Sequence, residues 1–184
     1  MELMTAIFER RAIRAYAADP VDRSRIEGLI EAAIQAPSAR DLEPWAFAVF
    51  EGKERLRGLS EEVRQFLLAG PAARGNAELR EKWSDPAFEV FYGAPVLVLI
   101  CATSAESQAA EDCCLAAQNF MLAARAAGLG TCPIGLARPW LAQASTKEKL
   151  GIPAGQFPVF PIILGRAGEH PGRRPRRAPT VLWL

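Results

Sequence analysis

Apolar positions recur every three or four residues near the start of the chain. In ELMTAIFER, Leu3, Ile7 and Phe8 share one helical face with Met4 beside them, which predicts a short helix. Asp19-Pro20 breaks the chain, and a second helical period follows in DRSRIEGLIEAAIQAPS. There Ile26, Leu29, Ile30, Ala33 and Ile34 fall at helical spacing, with Asp22 as N-cap and Pro37 as stop. WAFAVFE, residues 45–51, switches to alternation and predicts a strand. Lys53 to about Ala69 returns to the helical period, and residues 70–91 are weakly patterned, as a mobile cover or a short helix would be.

The next segments are more apolar. PVLVLICA is apolar on both faces and reads as a central strand. ESQAAEDCCLAAQNFMLAARAAGLG reads as a long helix closed by Gly128 or Gly130. Beyond Glu111 and Asp112 it is apolar around most of its circumference, which suits burial on several sides and so a dimer interface. TCPIGLARPW is expected to turn into another helix that runs through Leu150. FPVFPIILG reads as a strand in which Pro158 and Pro161 demote one part to an edge. The closing TVLWL reads as an apolar strand with no partner nearby in sequence, suited to pairing across a subunit boundary. No repeat, low-complexity run or linker interrupts this order, so residues 1–184 are expected to form one mixed α and β domain.

Composition narrows the function. Half of the 184 residues are hydrophobic, 23% are charged and the formal net charge is +1. Nucleic-acid and membrane-surface binders usually carry a broad basic field, so neither partner is expected. MELMTAIFERR mixes acids and bases and does not read as a signal peptide. The apolar run at residues 94–102 is far shorter than the roughly 20 residues of a membrane helix. Cys101, Cys113, Cys114 and Cys132 show no metal spacing, and three lie in apolar surroundings, as reduced thiols in the cytoplasm would. A zinc site or a Ser-His-Asp triad would depend on the single histidine, His170, which argues against both.

The charge that does stand out is arginine at both ends: RRAIR at residues 10–14 and GRRPRRAP at 172–179. Pro175 biases Arg174 toward extended structure, where Arg174 and Arg176 point to the same side. Arg10 and Arg14 share a side whether their segment is helical or extended. Two such pairs can converge on one anion, and guanidinium forks match phosphate oxygens.

Four pieces in order, FERRAIRAY (8–16), APSARDLEPWAFAVF (36–50), AAQNFMLAARAAGLGTCPIG (116–135) and GRRPRRAP, resemble the nitroreductase family of FMN-dependent oxidoreductases, from about residue 5 to residue 180. The resemblance implies an α+β fold with a central mixed, mainly antiparallel sheet flanked by helices, in an intertwined homodimer with two FMN molecules at its interface. It implies that Arg10, Arg11, Arg14, Arg174 and Arg176 hold the phosphate and ribityl chain, with Ala12 beside them. Pro37, Ser38 and Ala39 would border the flavin from the other subunit, with Asp41 near it. Pro133, Ile134 and Gly135 would lie along the ring, the N–H groups of Ile134 and Gly135 facing N5. NADH or NADPH would be the reductant and a small-molecule acceptor such as a nitroaromatic or quinone the oxidant, in ping-pong order. The flavin does the redox step, so no side-chain acid, base or nucleophile is required.

The sequence departs from the family at three places. Ala12 stands where members commonly have serine and offers no hydroxyl. Asp41 and Glu43 stand where the family's turn commonly has amides; ionised carboxylates accept but do not donate. These changes leave open a second class, a flavin- or nucleotide-binding module with weak or lost turnover. A nucleic-acid or acidic-partner binder using the C-terminal arginines is disfavoured by the near-neutral charge.

Overall fold

The computed structural model describes residues 1–172 and 175–184. Strands β1 (Trp45–Glu51), β2 (Val96–Ala102), β3 (Leu129–Pro133) and β4 (Phe157–Arg166) form one sheet in the order β1-β2-β4-β3. All three strand pairs are antiparallel. An isolated parallel bridge between Ala12 and Thr131 lays the N-terminal segment along the β3 edge, but the four strands themselves form an antiparallel sheet rather than a mixed one.

β2 is central, as its sequence predicts, and all seven of its residues are buried. Its alternation sorts the core into two layers. Val96, Val98 and Ile100 pack with Ile26 and Leu29 of α2 (Arg23–Ala33) and Phe120 of α6 (Ser107–Ala126). Leu97, Leu99 and Cys101 face Leu56 and Val63 of α3 (Lys53–Ala69), together with Trp83, Phe91 and Trp140. Asp22 is the N-cap residue of α2, although its side chain makes no capping bond.

Several expectations need correction. Residues 70–91 contain two short helices, α4 (Pro71–Gly75) and α5 (Ala77–Ser84), which anchor Trp83 and lead to buried Phe91. The α5 start is capped by Asn76, whose side chain accepts from Leu79 N–H at 3.0 Å. Residues 129–133 are a strand rather than part of a turn. Their pairing with β4 is a tertiary contact, invisible in five residues that include a glycine and a proline. The following helix is split into α7 (Arg138–Leu141) and α8 (Ala144–Leu150). In β4, the proline-bearing part pairs with β2 and carries a register shift, residues 162–164 lie between β2 and β3, and Gly165 and Arg166 pair with β3 alone.

Two apolar features do not join the core of the chain. In α1 (Leu3–Glu9) only Ala6 is buried, and Leu3 is 63% exposed. The closing TVLWL forms no strand here, and Trp183 is 93% exposed. No helix among the described residues is long and apolar enough to cross a membrane.

Candidate functional site

Gly130 lets the N-terminal segment lie against β3. A Cβ built there would sit 2.8 Å from Ile13 Cγ1, so only glycine admits the approach. Ile13 N–H donates to Thr131 O at 3.0 Å and Ile13 is buried. The same segment also pairs with the end of β4. Tyr16 bridges Ala167, Ala17 N–H donates to Arg166 O at 3.0 Å, and Gly168 N–H donates to Ala15 O at 2.8 Å. Tyr16 OH donates to Ile13 O at 2.8 Å, and burial pushes its ionisation far upward, so the phenol stays neutral.

This pairing carries the chain ends together. Arg11 Nε donates to Gly172 O at 3.3 Å, across 161 positions of sequence. Burial, then the like charges of Arg11 and Arg176, pull the Arg10 guanidinium below its ordinary value. The Arg14 guanidinium stands 5.9 Å from the Tyr92 ring centre. Among the described residues, none of Arg10, Arg11, Arg14 and Arg176 forms an ion pair. A cleft of about 360 Å³ opens here, lined by Arg11, Ala12, Arg14, Glu169 and Pro171. Arg174 lies outside the described residues.

The segment from Arg10 to Arg14 runs parallel to β3, toward the loop that follows it. Cys132 sits between the two, buried within the fields of Arg14 and Arg10; burial dominates and pushes its thiol up. Of the two loop amides expected to be open, one is already spent: Ile134 N–H donates to Pro161 O at 2.9 Å, one rung beyond the end of β3. Gly135 N–H has no such bond among the described residues and is the free donor. Pro133 and Gly135 are exposed; Ile134 is buried.

The turn at Pro37–Glu43 is elsewhere. Ala39 N–H donates at 3.2 Å to Asp112 Oδ2, from a side chain buried in the first half of α6. The arginine segment lies beyond the other end of that helix, and the 14 steps from Asp112 to Ala126 rise about 21 Å. The turn also leads into β1, at the sheet edge opposite β3. Within one chain, therefore, Pro37, Ser38, Ala39 and Asp41 do not meet Arg10, Arg14 and Arg176.

The turn itself is strained. Arg40, Asp41 and Glu43 have φ values of 54°, 56° and 46°, in the left-handed region. Ser38 Oγ accepts from Glu43 N–H at 2.9 Å and Gln108 Nε2 donates to Asp112 at 3.3 Å, which helps to hold that shape. Sequence reasoning missed Asp112 and Glu169 as parts of the site. The one signal for Asp112 was a carboxylate on an otherwise apolar helix; Glu169 gave none.

Arg11 and Arg14 at a cleft, with Arg10 and Arg176 in one another's field, lead to a close-packed strand and a free glycine amide, so a basic edge of the sheet is set beside an open backbone donor. The sequence profile of the Nitroreductase family matches residues 7–166, and the chain belongs to that family. Over 218 aligned residues it is 29% identical to a 4-nitrobenzoate reductase of Pseudomonas putida, covering 99% of this chain and 95% of that protein. It is 25% identical over 197 residues to an FMN reductase [NAD(P)H] of Bacillus subtilis, covering 95% and 70%. A solved nitroreductase with bound FMN from Bacteroides fragilis superposes with a TM-score of 0.88 at 24% identity, covering 100% of this chain and 99% of that one, which establishes the fold.

Proposed function

We propose that this chain is an FMN-dependent oxidoreductase that draws hydride from NADH or NADPH and passes it to a small-molecule acceptor, a nitroaromatic or a quinone, with donor and acceptor using one pocket in turn. The meeting of the two chain ends carries this reading: Arg11 holds Gly172 O, Arg11 and Arg14 line one cleft, and Arg10 lies in the fields of Arg11 and Arg176. Guanidinium groups that form no ion pair among the described residues suit a phosphate monoester, which brings nearly two negative charges.

Bound FMN supplies the redox chemistry. The chain binds and orients it. The arginines hold the phosphate, and Gly130 keeps their strand close to β3. Pro133 and Gly135 would border the ring, with Gly135 N–H the donor open to it, while Ile134 N–H stays in the sheet. Ala12 presents a methyl group instead of a hydroxyl, so the phosphate depends more heavily on the guanidinium groups.

A homodimer completes the site. The turn at Pro37, Ser38, Ala39 and Asp41 lies too far from the arginines in its own chain, and a second copy would bring it to the open face of the flavin. The exposed apolar face of α1 and the tail at Val181–Leu184 are surface for that contact. Residues 1–184 are read as a single domain, and its four free cysteines suit a reducing compartment such as the cytoplasm.

An absorbance spectrum tests this directly. Purified protein, with FMN added if necessary, should be yellow and bleach anaerobically on reduced nicotinamide, and recover colour when a quinone is added. A protein that takes up no FMN overturns the reading. The carboxylates Asp41 and Glu43 favour one second reading, a binding module: tight FMN binding with no nicotinamide oxidation would select it.

A further inference from the structure

We propose that Glu169 is a positioning residue for the cofactor phosphate: it ties the two arginine-bearing segments together and trims the net charge of the cradle they form. This rests on the cofactor reading above. The backbone ladder between the segments runs through Ala17–Arg166 and Gly168–Ala15 and then stops. Just past its end, Arg14 N–H donates to Glu169 Oε1 at 2.6 Å, a side chain in place of a carbonyl. That substitution frees the C-terminal backbone to leave the ladder. Beyond Glu169, Arg11 holds Gly172 O, and Arg176 lies within the field of Arg10. Without the tie, mutual repulsion among the guanidinium groups would drive the two segments apart.

The charge has a second effect. Glu169 lines the same cleft as Arg11, Ala12 and Arg14, so its carboxylate opposes an incoming phosphate as well as steadying the arginines. Its hydrogen-bonding and electrostatic contributions are separable by mutation, because glutamine keeps the acceptor and loses the charge, whereas alanine loses both.

The experiment titrates full-length protein, freed of flavin, with FMN and with riboflavin, which shares the ring and lacks the phosphate. Flavin fluorescence quenching reads affinity for wild type, Glu169→Gln and Glu169→Ala. Expected for Glu169→Gln is FMN affinity raised about threefold or more with riboflavin unchanged. Expected for Glu169→Ala is FMN affinity lowered about tenfold, again with riboflavin little changed. A general loss of fold would weaken both ligands in parallel, so the FMN-to-riboflavin ratio isolates the phosphate end. If Glu169→Ala binds FMN as wild type does, or Glu169→Gln shifts both flavins alike, the proposal is overturned while the cofactor reading stands. If wild type binds neither flavin, the cofactor reading falls and this proposal falls with it.

Discussion

Ile13 occupies the space that any side chain on Gly130 would need, with Cγ1, Cβ and Cγ2 all at 2.8–3.0 Å from the Cβ position. The buried isoleucine has little room to yield, so Gly130→Ala should push the arginine segment off β3. Overpacking of this kind costs about 1–3 kcal/mol. Gly128→Ala is the control: its φ of 75° strains any side chain, but nothing lies within contact of the new methyl. Both variants should lose stability in thermal unfolding, and only Gly130→Ala should lose FMN retention on gel filtration.

Arg14 and Arg176 should matter to the cofactor where Arg57 does not. Arg57 lies on α3, paired with Glu89 at 3.6 Å and exposed. Charge-assisted bonds to a phosphate are worth about 1.5–3 kcal/mol each, so Arg14→Ala or Arg176→Ala should weaken FMN binding about 10- to 100-fold. Arg57→Ala should leave it unchanged, and raised salt should narrow the gap. Equal FMN content in all three variants would remove the phosphate assignment.

How far the sequence could be read depended on the range of the contact involved. The strong periods at residues 45–51, 53–69 and 96–102 became β1, α3 and β2, because each is long enough for its own apolar pattern to decide it. β3 stayed hidden because its five residues owe their conformation to β4 and to Ile13. The two arginine runs were legible as composition, but the pairing that brings the chain ends together runs through Tyr16, Ala167 and Glu169, more than 150 positions apart, and no local pattern announces it. The expected use of Ile134 N–H failed for the same reason: Pro161 O, which takes that proton, comes from a distant strand. The apolar face of α1 was legible as a face, and its exposure marks the limit of periodicity, which identifies an apolar face without naming its partner.

Stability should fall on the alkaline side. Burial pushes the Cys101 thiol up to about 11 and that of Cys113 up to about 12, from an ordinary value of 9.0. For a group whose pKa is raised on folding, the folded state holds its proton longer than the unfolded chain does. The contribution is therefore complete below about pH 9 and is lost as pH rises from there toward 11 and 12. Thermal midpoints should be flat from pH 7 to 8.5 and decline above 9, and Cys113→Ala, though less stable at neutral pH, should decline less steeply. A slope unaffected by this substitution would show that Cys113 is not the group responsible.

Asp112 should act on the site of the other subunit. Its carboxylate holds Ala39 N–H, and so the strained turn, from the far end of α6. Asp112→Ala leaves that amide without its acceptor, at a cost of about 1–3 kcal/mol, and lets Arg40, Asp41 and Glu43 relax from their left-handed conformations. If a site combines the turn of one chain with the arginines of the other, Asp112→Ala and Arg14→Ala homodimers each carry two damaged sites. A heterodimer of the two variants places both lesions in one site and leaves the second site intact. Refolding differently tagged variants together and purifying the mixed species should therefore recover about one FMN per dimer where each parent retains far less. Recovery of none would mean that both elements serve the same chain's cofactor, and the shared site would have to be abandoned.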